Sequence, residues 1–172
     1  MFIYALGIMT DLYDTLYYTM MDPSDPDSTW VQGSQVYYHM QDFNRNLLRG
    51  SIAVLLLAVL LFITNTDKRR KYYIANYVST GLYGAVSVAY MVWGHINIQK
   101  YRAEWKAVDY GALKSFTDMF KQRYTESTFW FDIHYLVFLV GFVSVGLLVF
   151  NLFWKTGLMK EERRLVEGGK AE

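Results

Sequence analysis

The sequence predicts an all-α integral membrane protein, and three observations carry that prediction. Long apolar stretches without charge recur along a chain of 172 residues. Aromatic residues make up 18% of the chain and gather near the ends of these stretches, as membrane interfaces favour. Only two prolines occur, so little interrupts a helix. A chain of this length is normally one domain, and we expect a single membrane domain over residues 1–172.

The first element in the chain, residues 2–20, has two interpretations. Helical spacing puts Phe2, Ala5 and Leu6 on an apolar face and Tyr4 on the polar face. Two aspartates lie mid-segment, and each would cost about 2.5–3.5 kcal/mol at the centre of a span. We favour an interfacial amphipathic helix that caps the bundle. The alternative is a fourth span, in which the aspartates would form a polar or ion site; they are Asp11 and Asp14.

A turn-rich stretch follows at residues 22–27, with Ser28 as the expected N-cap of the next helix. From about Ser34 an apolar spacing continues without interruption into the first span. A helix from there to Asn65 is about 48 Å long at about 1.5 Å per residue, so it projects beyond a hydrocarbon core of about 30 Å. The second span likewise continues outward, and a further amphipathic helix at about residues 109–124 is expected to close the top of the bundle.

Three stretches predict transmembrane helices. The first is leucine-rich on every face, the second carries no charge, and the third has aromatic residues at both ends. Each is long enough to cross the hydrocarbon core of a bilayer. Their predicted bounds are about residues 47–66, 72–97 and 131–154.

Basic residues predict the orientation, because Lys and Arg in short loops stay on the cytoplasmic side. One basic cluster lies between the first two spans and another follows the third. The topology determinants are Lys68, Arg69, Arg70, Lys71, Arg163 and Arg164. We therefore predict a cytoplasmic tail at 155–172 and an outer helical head formed by residues 1–46 and 98–129. The expected location is a bacterial plasma membrane, with the N-terminal region outside and the C-terminus cytoplasmic.

Small residues mark the faces on which helices approach closely in lipid, where hydrophobicity cannot drive association. Such residues recur at helical spacing in the second and third spans. They are Gly81, Ala85, Ala89, Gly141, Ser144 and Gly146. The favoured interpretation is packing within the chain, and the alternative is an interface with another subunit.

Few residues have the type and spacing that catalysis or cofactor binding requires. There is no cysteine, and the sequence contains no phosphate-binding loop, nucleophile elbow or dinucleotide fingerprint, so we predict no enzyme. Two histidines fall at matching depth in the second and third spans, His95 and His134, as a bis-imidazole haem would need, and with Asp132 they could instead ligate a divalent metal. No ligand pair on a single helix accompanies them, so no cofactor is predicted.

The function that these patterns favour is a non-catalytic accessory or structural subunit of a larger membrane complex, most plausibly a transporter or secretion assembly. Two alternatives belong to other classes. One is a homo-oligomeric channel or ion-conducting protein that uses the Asp11 and Asp14 face, and the other is a haem- or quinone-binding electron-transfer subunit. The expected partners are the lipid bilayer and other membrane subunits or further copies of the chain. The nearly balanced charge, 17 basic against 16 acidic residues, does not suggest nucleic acid.

Overall fold

The computed structural model describes residues 1–12, 21–22, 25–66, 73–120 and 124–168. These residues are almost entirely helical, as the sequence predicts. A short antiparallel hairpin, which the sequence analysis missed, precedes the second helix. The elements in chain order are α1 (Phe2–Asp11), β1 (Met21–Asp22), β2 (Asp25–Thr29), α2 (Gln35–Thr66), α3 (Tyr73–Lys106), α4 (Tyr110–Phe120) and α5 (Phe129–Gly168).

Two helices, α2 and α5, are long and apolar enough to cross a membrane, by length and composition alone. The 34-residue α3 is not among them, because Asn, Ser, Thr, Gly and Tyr interrupt its aliphatic residues. The prediction of three spans is therefore not confirmed as a whole. The 40-residue α5 also continues without a break past residue 154, so the predicted tail at 155–172 is helical as far as Gly168.

The helix α1 ends at Asp11, and the face that it buries agrees with the prediction only in part. Its ten residues measure about 15 Å, half the hydrocarbon thickness of a bilayer. Residues 13–20 of the predicted stretch lie outside the described part of the chain, so the choice between an interfacial helix and a fourth span stays a prediction. Ala5 is buried as predicted, whereas Phe2 and Leu6 are exposed and Tyr4, which was assigned to the polar face, is buried. Tyr4 is accommodated because its hydroxyl donates a hydrogen bond to the Trp130 carbonyl at 2.9 Å.

The helix α2 begins close to its expected start, but the predicted cap was wrong. Ser28 lies in β2, and a turn at Gly33, with φ of 83°, redirects the chain before Gln35. A glycine suits this turn because the left-handed region is unfavourable for other residues. The hydroxyl of Ser34 donates to the Val31 carbonyl at 2.7 Å within the same turn.

The amphipathic helix α4 begins where the sequence predicts. The Asp109 carboxylate caps it by accepting a hydrogen bond from the Ala112 amide at 3.0 Å. Leu113 and Thr117 are buried and Lys114 is exposed, so one face packs inward. The helix extends as far as Phe120, and the remainder of the predicted 109–124 stretch includes residues outside the described part.

The helix α3 packs between α2 and α5, and α1 packs against α2 and α5. The buried core gathers towards the end of the bundle that holds α1, α4 and Trp105, which we call the outer end after the predicted orientation. Its largest fully buried side chains are those of Ile8, Leu12, Tyr37, Met40, Leu47, Met91, Ile98, Trp105, Leu113 and Phe131.

Candidate functional site

A ladder of polar contacts joins α3 to α5 at the outer end of the bundle. On α3, His95, Gln99 and Arg102 follow at intervals of four and three residues, so they share one helix face. This face is turned towards the first turns of α5. Each of the three side chains contacts a polar side chain of α5. We call these three contacts the polar ladder.

The outermost contact is an ion pair. An Arg102 guanidinium nitrogen lies 2.5 Å from a carboxylate oxygen of Asp132. The Thr128 hydroxyl donates to the second oxygen of the same carboxylate at 2.7 Å. The next contact runs from the Gln99 amide nitrogen to the Tyr135 hydroxyl, at 2.7 Å. Asp132 thus has charge and hydrogen-bond partners within the chain.

The innermost contact joins the two histidines that the sequence singles out. His95 Nδ1 lies 3.0 Å from His134 Nε2. His95 is exposed on the surface of the bundle, and His134 is fully buried. The other ring nitrogen of His134, Nδ1, contacts the Phe131 carbonyl oxygen. The two histidines, which the sequence predicts at matching depth, are therefore in direct contact.

The contact between His134 and a backbone carbonyl determines which ring nitrogens of the two histidines carry a hydrogen. A carbonyl oxygen only accepts, so His134 Nδ1 must carry the hydrogen. In the neutral ring His134 Nε2 is then an acceptor, and His95 Nδ1 donates to it. This assignment leaves His95 Nε2 with a lone pair. That atom has no hydrogen-bond partner within the described residues.

An apolar cavity of about 350 Å³ opens beside the histidine pair. Its volume lies within the range of about 300–1,000 Å³ that is usual for small-molecule sites. The polar residues are gathered at one part of its lining, and the rest is aliphatic, aromatic or thioether. The lining consists of Met91, Val92, His95, His134, Tyr135, Phe138, Leu139 and Phe142.

This geometry does not match a haem or metal centre built from His95, His134 and Asp132. An iron between two imidazoles separates their nitrogens by about 4 Å, twice the usual metal–nitrogen distance. The observed 3.0 Å contact leaves no room for it. Asp132 is held away by Arg102 and Thr128. Among the residues that the structure describes, no group of three or more His, Cys, Asp or Glu could hold a metal ion.

The small residues that the sequence assigns to helix packing fall into two classes. Gly141 is closely packed, and a Cβ there would lie 2.6 Å from the Met91 sulfur. Gly81, Ala85 and Ala89 are instead exposed along α3, beside a groove of about 780 Å³. On α5, the Ser144 hydroxyl donates to its own helix, to the Val140 carbonyl at 2.7 Å, and a Cβ at Gly146 would meet nothing within 4 Å.

Several predicted residues lie outside the described part of the chain. They are Asp14, Lys68, Arg69, Arg70 and Lys71, together with the side chains of Asp11 and Arg163. Arg164 is exposed on α5. The ion site and most of the topology determinants therefore stay predictions.

The sequence analysis missed Gln99, Arg102, Thr128 and Tyr135, which complete the polar ladder. A signal for the α3 residues was present, because the spacing of His95, Gln99 and Arg102 is helical. The partners on α5 could not be assigned from spacing, since contact between helices depends on their depth and rotation. No protein-family model matches the chain, and no curated protein or solved structure gives a significant match.

Proposed function

We propose that the chain is a non-catalytic accessory or structural subunit of a larger membrane complex, a transporter or secretion assembly. The observation that supports this proposal is the groove along α3, which the described residues leave unfilled. A transmembrane helix of another subunit is the occupant that would fit it.

The groove has the features of a helix-packing surface. A Cβ at Gly81 would meet nothing within 4 Å, and one at Gly84 would meet only Val145, at 3.5 Å. Ala85 and Ala89 continue the small-residue stripe towards the outside. In lipid, stripes of this kind let the backbones of two helices approach closely. Val145 and Val149 of α5 form the opposite wall of the groove.

The proposal includes α3 as a third span, between α2 and α5. Two polar levels support it. At one end the Asn65 side-chain oxygen accepts hydrogen bonds from Asn76 at 3.2 Å and from Lys155 at 3.0 Å. At the other end lies the contact between His95 and His134. Along α3 and along α5 about twenty residues separate the two levels, which is about 30 Å at about 1.5 Å per residue. This equals the hydrocarbon thickness of a bilayer.

The proposed orientation follows from the basic residues of the sequence. The level at Asn65 and Lys155 is adjacent to the loop at 67–72 and would face the cytoplasm. The polar ladder, α4 and the hairpin would then lie outside, at the outer face of a bacterial plasma membrane. A cysteine introduced at Lys114 should react with an impermeant maleimide in intact cells, and one at Leu165 should react only after permeabilisation.

The partner is tested with a photo-crosslinking residue at Ala85, expressed in the native host, and with the same residue at Ala53 as a control. Ala53 is an exposed alanine on α2, outside the groove. We expect a discrete crosslinked product from position 85, heavier than the chain and absent from position 53. The Ala85→Leu variant should remove the complex from native gels in mild detergent, whereas Ala53→Leu should retain it.

The mass of the crosslinked product distinguishes another subunit from a second copy of the chain as the occupant of the groove. A product of twice the mass of the chain would identify a second copy as the occupant and would favour a homo-oligomer over an accessory subunit. A lone monomer in mild detergent, with no crosslink at position 85, would contradict the proposal.

A further inference from the structure

We infer that the cavity beside the histidine pair binds a membrane-soluble molecule with a hydroxylated aromatic ring, of the quinol class. The inference rests on the hydrogen-bond order of His95 and His134 together with the shape and lining of the cavity. The cavity adjoins the groove that supports the proposed function at Val92, but the residues tested in each are different, so one proposal can fail while the other holds.

The hydrogen-bonding groups of the cavity select the head of the ligand. The carbonyl of Phe131 makes His134 a donor through Nδ1 and an acceptor through Nε2, so the neutral His95 keeps a lone pair at Nε2. At Tyr135, the hydroxyl oxygen already accepts from Gln99, and its hydrogen remains able to donate. A hydroxyl group complements both, because it donates to an imidazole nitrogen and accepts from a phenol. A quinone carbonyl only accepts and so leaves His95 without a donor.

The position of His95 strengthens the preference for a ligand that donates a hydrogen bond. His95 is exposed at the outer end of the proposed second span. A ligand that fills the cavity excludes water from the His95 acceptor, and an acceptor without water is costly unless it finds another donor. A ligand that supplies one therefore binds more tightly than a molecule of the same shape that does not.

The remaining lining selects an aromatic ring with an apolar tail. Phe138 and Phe142 lie on one face of α5, and the His134 and Phe138 rings meet edge to face at a centroid distance of 5.4 Å. Met91 contributes a polarizable thioether, which contacts aromatic rings favourably. Leu139 is 60% exposed, so a tail attached to the ring could continue from the cavity into the bilayer.

Two probes of matched shape test the inference on the full chain in detergent micelles. One is decylhydroquinone, kept reduced under anaerobic conditions, and the other is its dimethyl ether, which has no hydrogen to donate. Saturable binding raises the midpoint of thermal unfolding as the probe concentration rises. We expect the hydroquinone to bind about tenfold more tightly than the ether, the effect of one hydrogen bond to an otherwise unpaired acceptor. Equal binding of the two probes would overturn the inference.

Variants distinguish binding in the cavity from general partition of the probes into the micelle. His95→Phe should reduce the affinity for the hydroquinone to that for the ether, and His95→Gln, which restores an acceptor, should recover part of it. Leu139→Trp fills the cavity without removing a polar group and should abolish saturable binding. Leu147→Trp is its matched control, since Leu147 is a comparably exposed leucine on α5 outside the cavity. The same binding in Leu139→Trp as in Leu147→Trp would show that the probes bind elsewhere and would also overturn the inference.

Discussion

The outer and inner halves of the helix bundle are held together in different ways. Around Trp105, side chains from α2, α3 and α5 enclose one another as in a water-soluble core. In the most apolar stretch of α5, by contrast, only 6% of the residues are buried, and in that of α2 only 22%. The outer half carries its own packing, whereas the inner half presents leucine, valine and phenylalanine to its surroundings.

This difference has a physical consequence for substitutions. Where a side chain is enclosed, its loss leaves a cavity and unpaired neighbours, and the fold loses free energy. Where a side chain faces lipid or detergent, the space left by a shorter apolar residue is filled by solvent of the same polarity. The two halves should therefore respond differently to the same kind of change.

The largest effect is expected from Trp105→Ala. The indole is 1% exposed and packs against Tyr37 and Phe131, with ring centroids 4.9 and 5.5 Å away. Its removal should lower the free energy of unfolding by about 3–5 kcal/mol, measured by denaturant titration in micelles. Leu147→Ala, at a position 63% exposed, should change it by less than about 0.5 kcal/mol. Similar losses at the two positions would contradict the comparison.

How far the sequence predicted the fold depends on whether a feature is set by residues close in sequence or by distant ones. The extent of α2, the outward extension of α3 and the start of α4 were predictable, because they depend on local spacing and caps. The burial of Tyr4 on α1 was not, because its hydroxyl is accommodated by a carbonyl of α5, which is distant in sequence. The hairpin before α2 also escaped prediction, since its strands carry no alternating apolar pattern.

The candidate site was predictable only in part. The sequence identified His95, His134 and Asp132, but it grouped them as one ligand set. In the structure Asp132 belongs to the ion pair with Arg102, and the histidines bond to each other. Periodicity places residues on a helix face, whereas the partner of that face depends on helix rotation and depth, which a single sequence does not show.

The next largest effect is expected where an aromatic ring packs closely against the backbone of a neighbouring helix. A Cβ at Gly50 would lie 2.6 Å from the Tyr90 ring, so Gly50→Ala should push α2 and α3 apart. We expect a loss of about 1–3 kcal/mol in the free energy of unfolding, as overpacking usually costs. At Gly146, which faces open space, alanine should be neutral or slightly stabilising because it favours the helix. A neutral Gly50→Ala would show that the outer half is packed more loosely than its contacts indicate.

A smaller effect is expected from Tyr4→Phe, which removes one hydrogen bond between α1 and α5. The phenol donates to the Trp130 carbonyl at 2.9 Å. Its loss should cost about 0.5–1.5 kcal/mol, measured by the same titration. Tyr83→Phe is the control, since the Tyr83 hydroxyl makes no hydrogen bond within the described residues. If both variants lost the same free energy, the docking of α1 would not depend on this bond.

The smallest effect is expected from the ion pair of the polar ladder, because both partners remain partly exposed. A double-mutant cycle with Arg102→Gln and Asp132→Asn should give a coupling energy of about 0.2–1 kcal/mol, which decreases as salt is added. The Asp42 and Arg45 pair has the same 2.5 Å separation but lies within α2. Its cycle should give less, because that pair joins no two helices and is more exposed. A larger coupling at Asp42 and Arg45 would contradict the prediction that a pair between two helices contributes more than a pair within one helix.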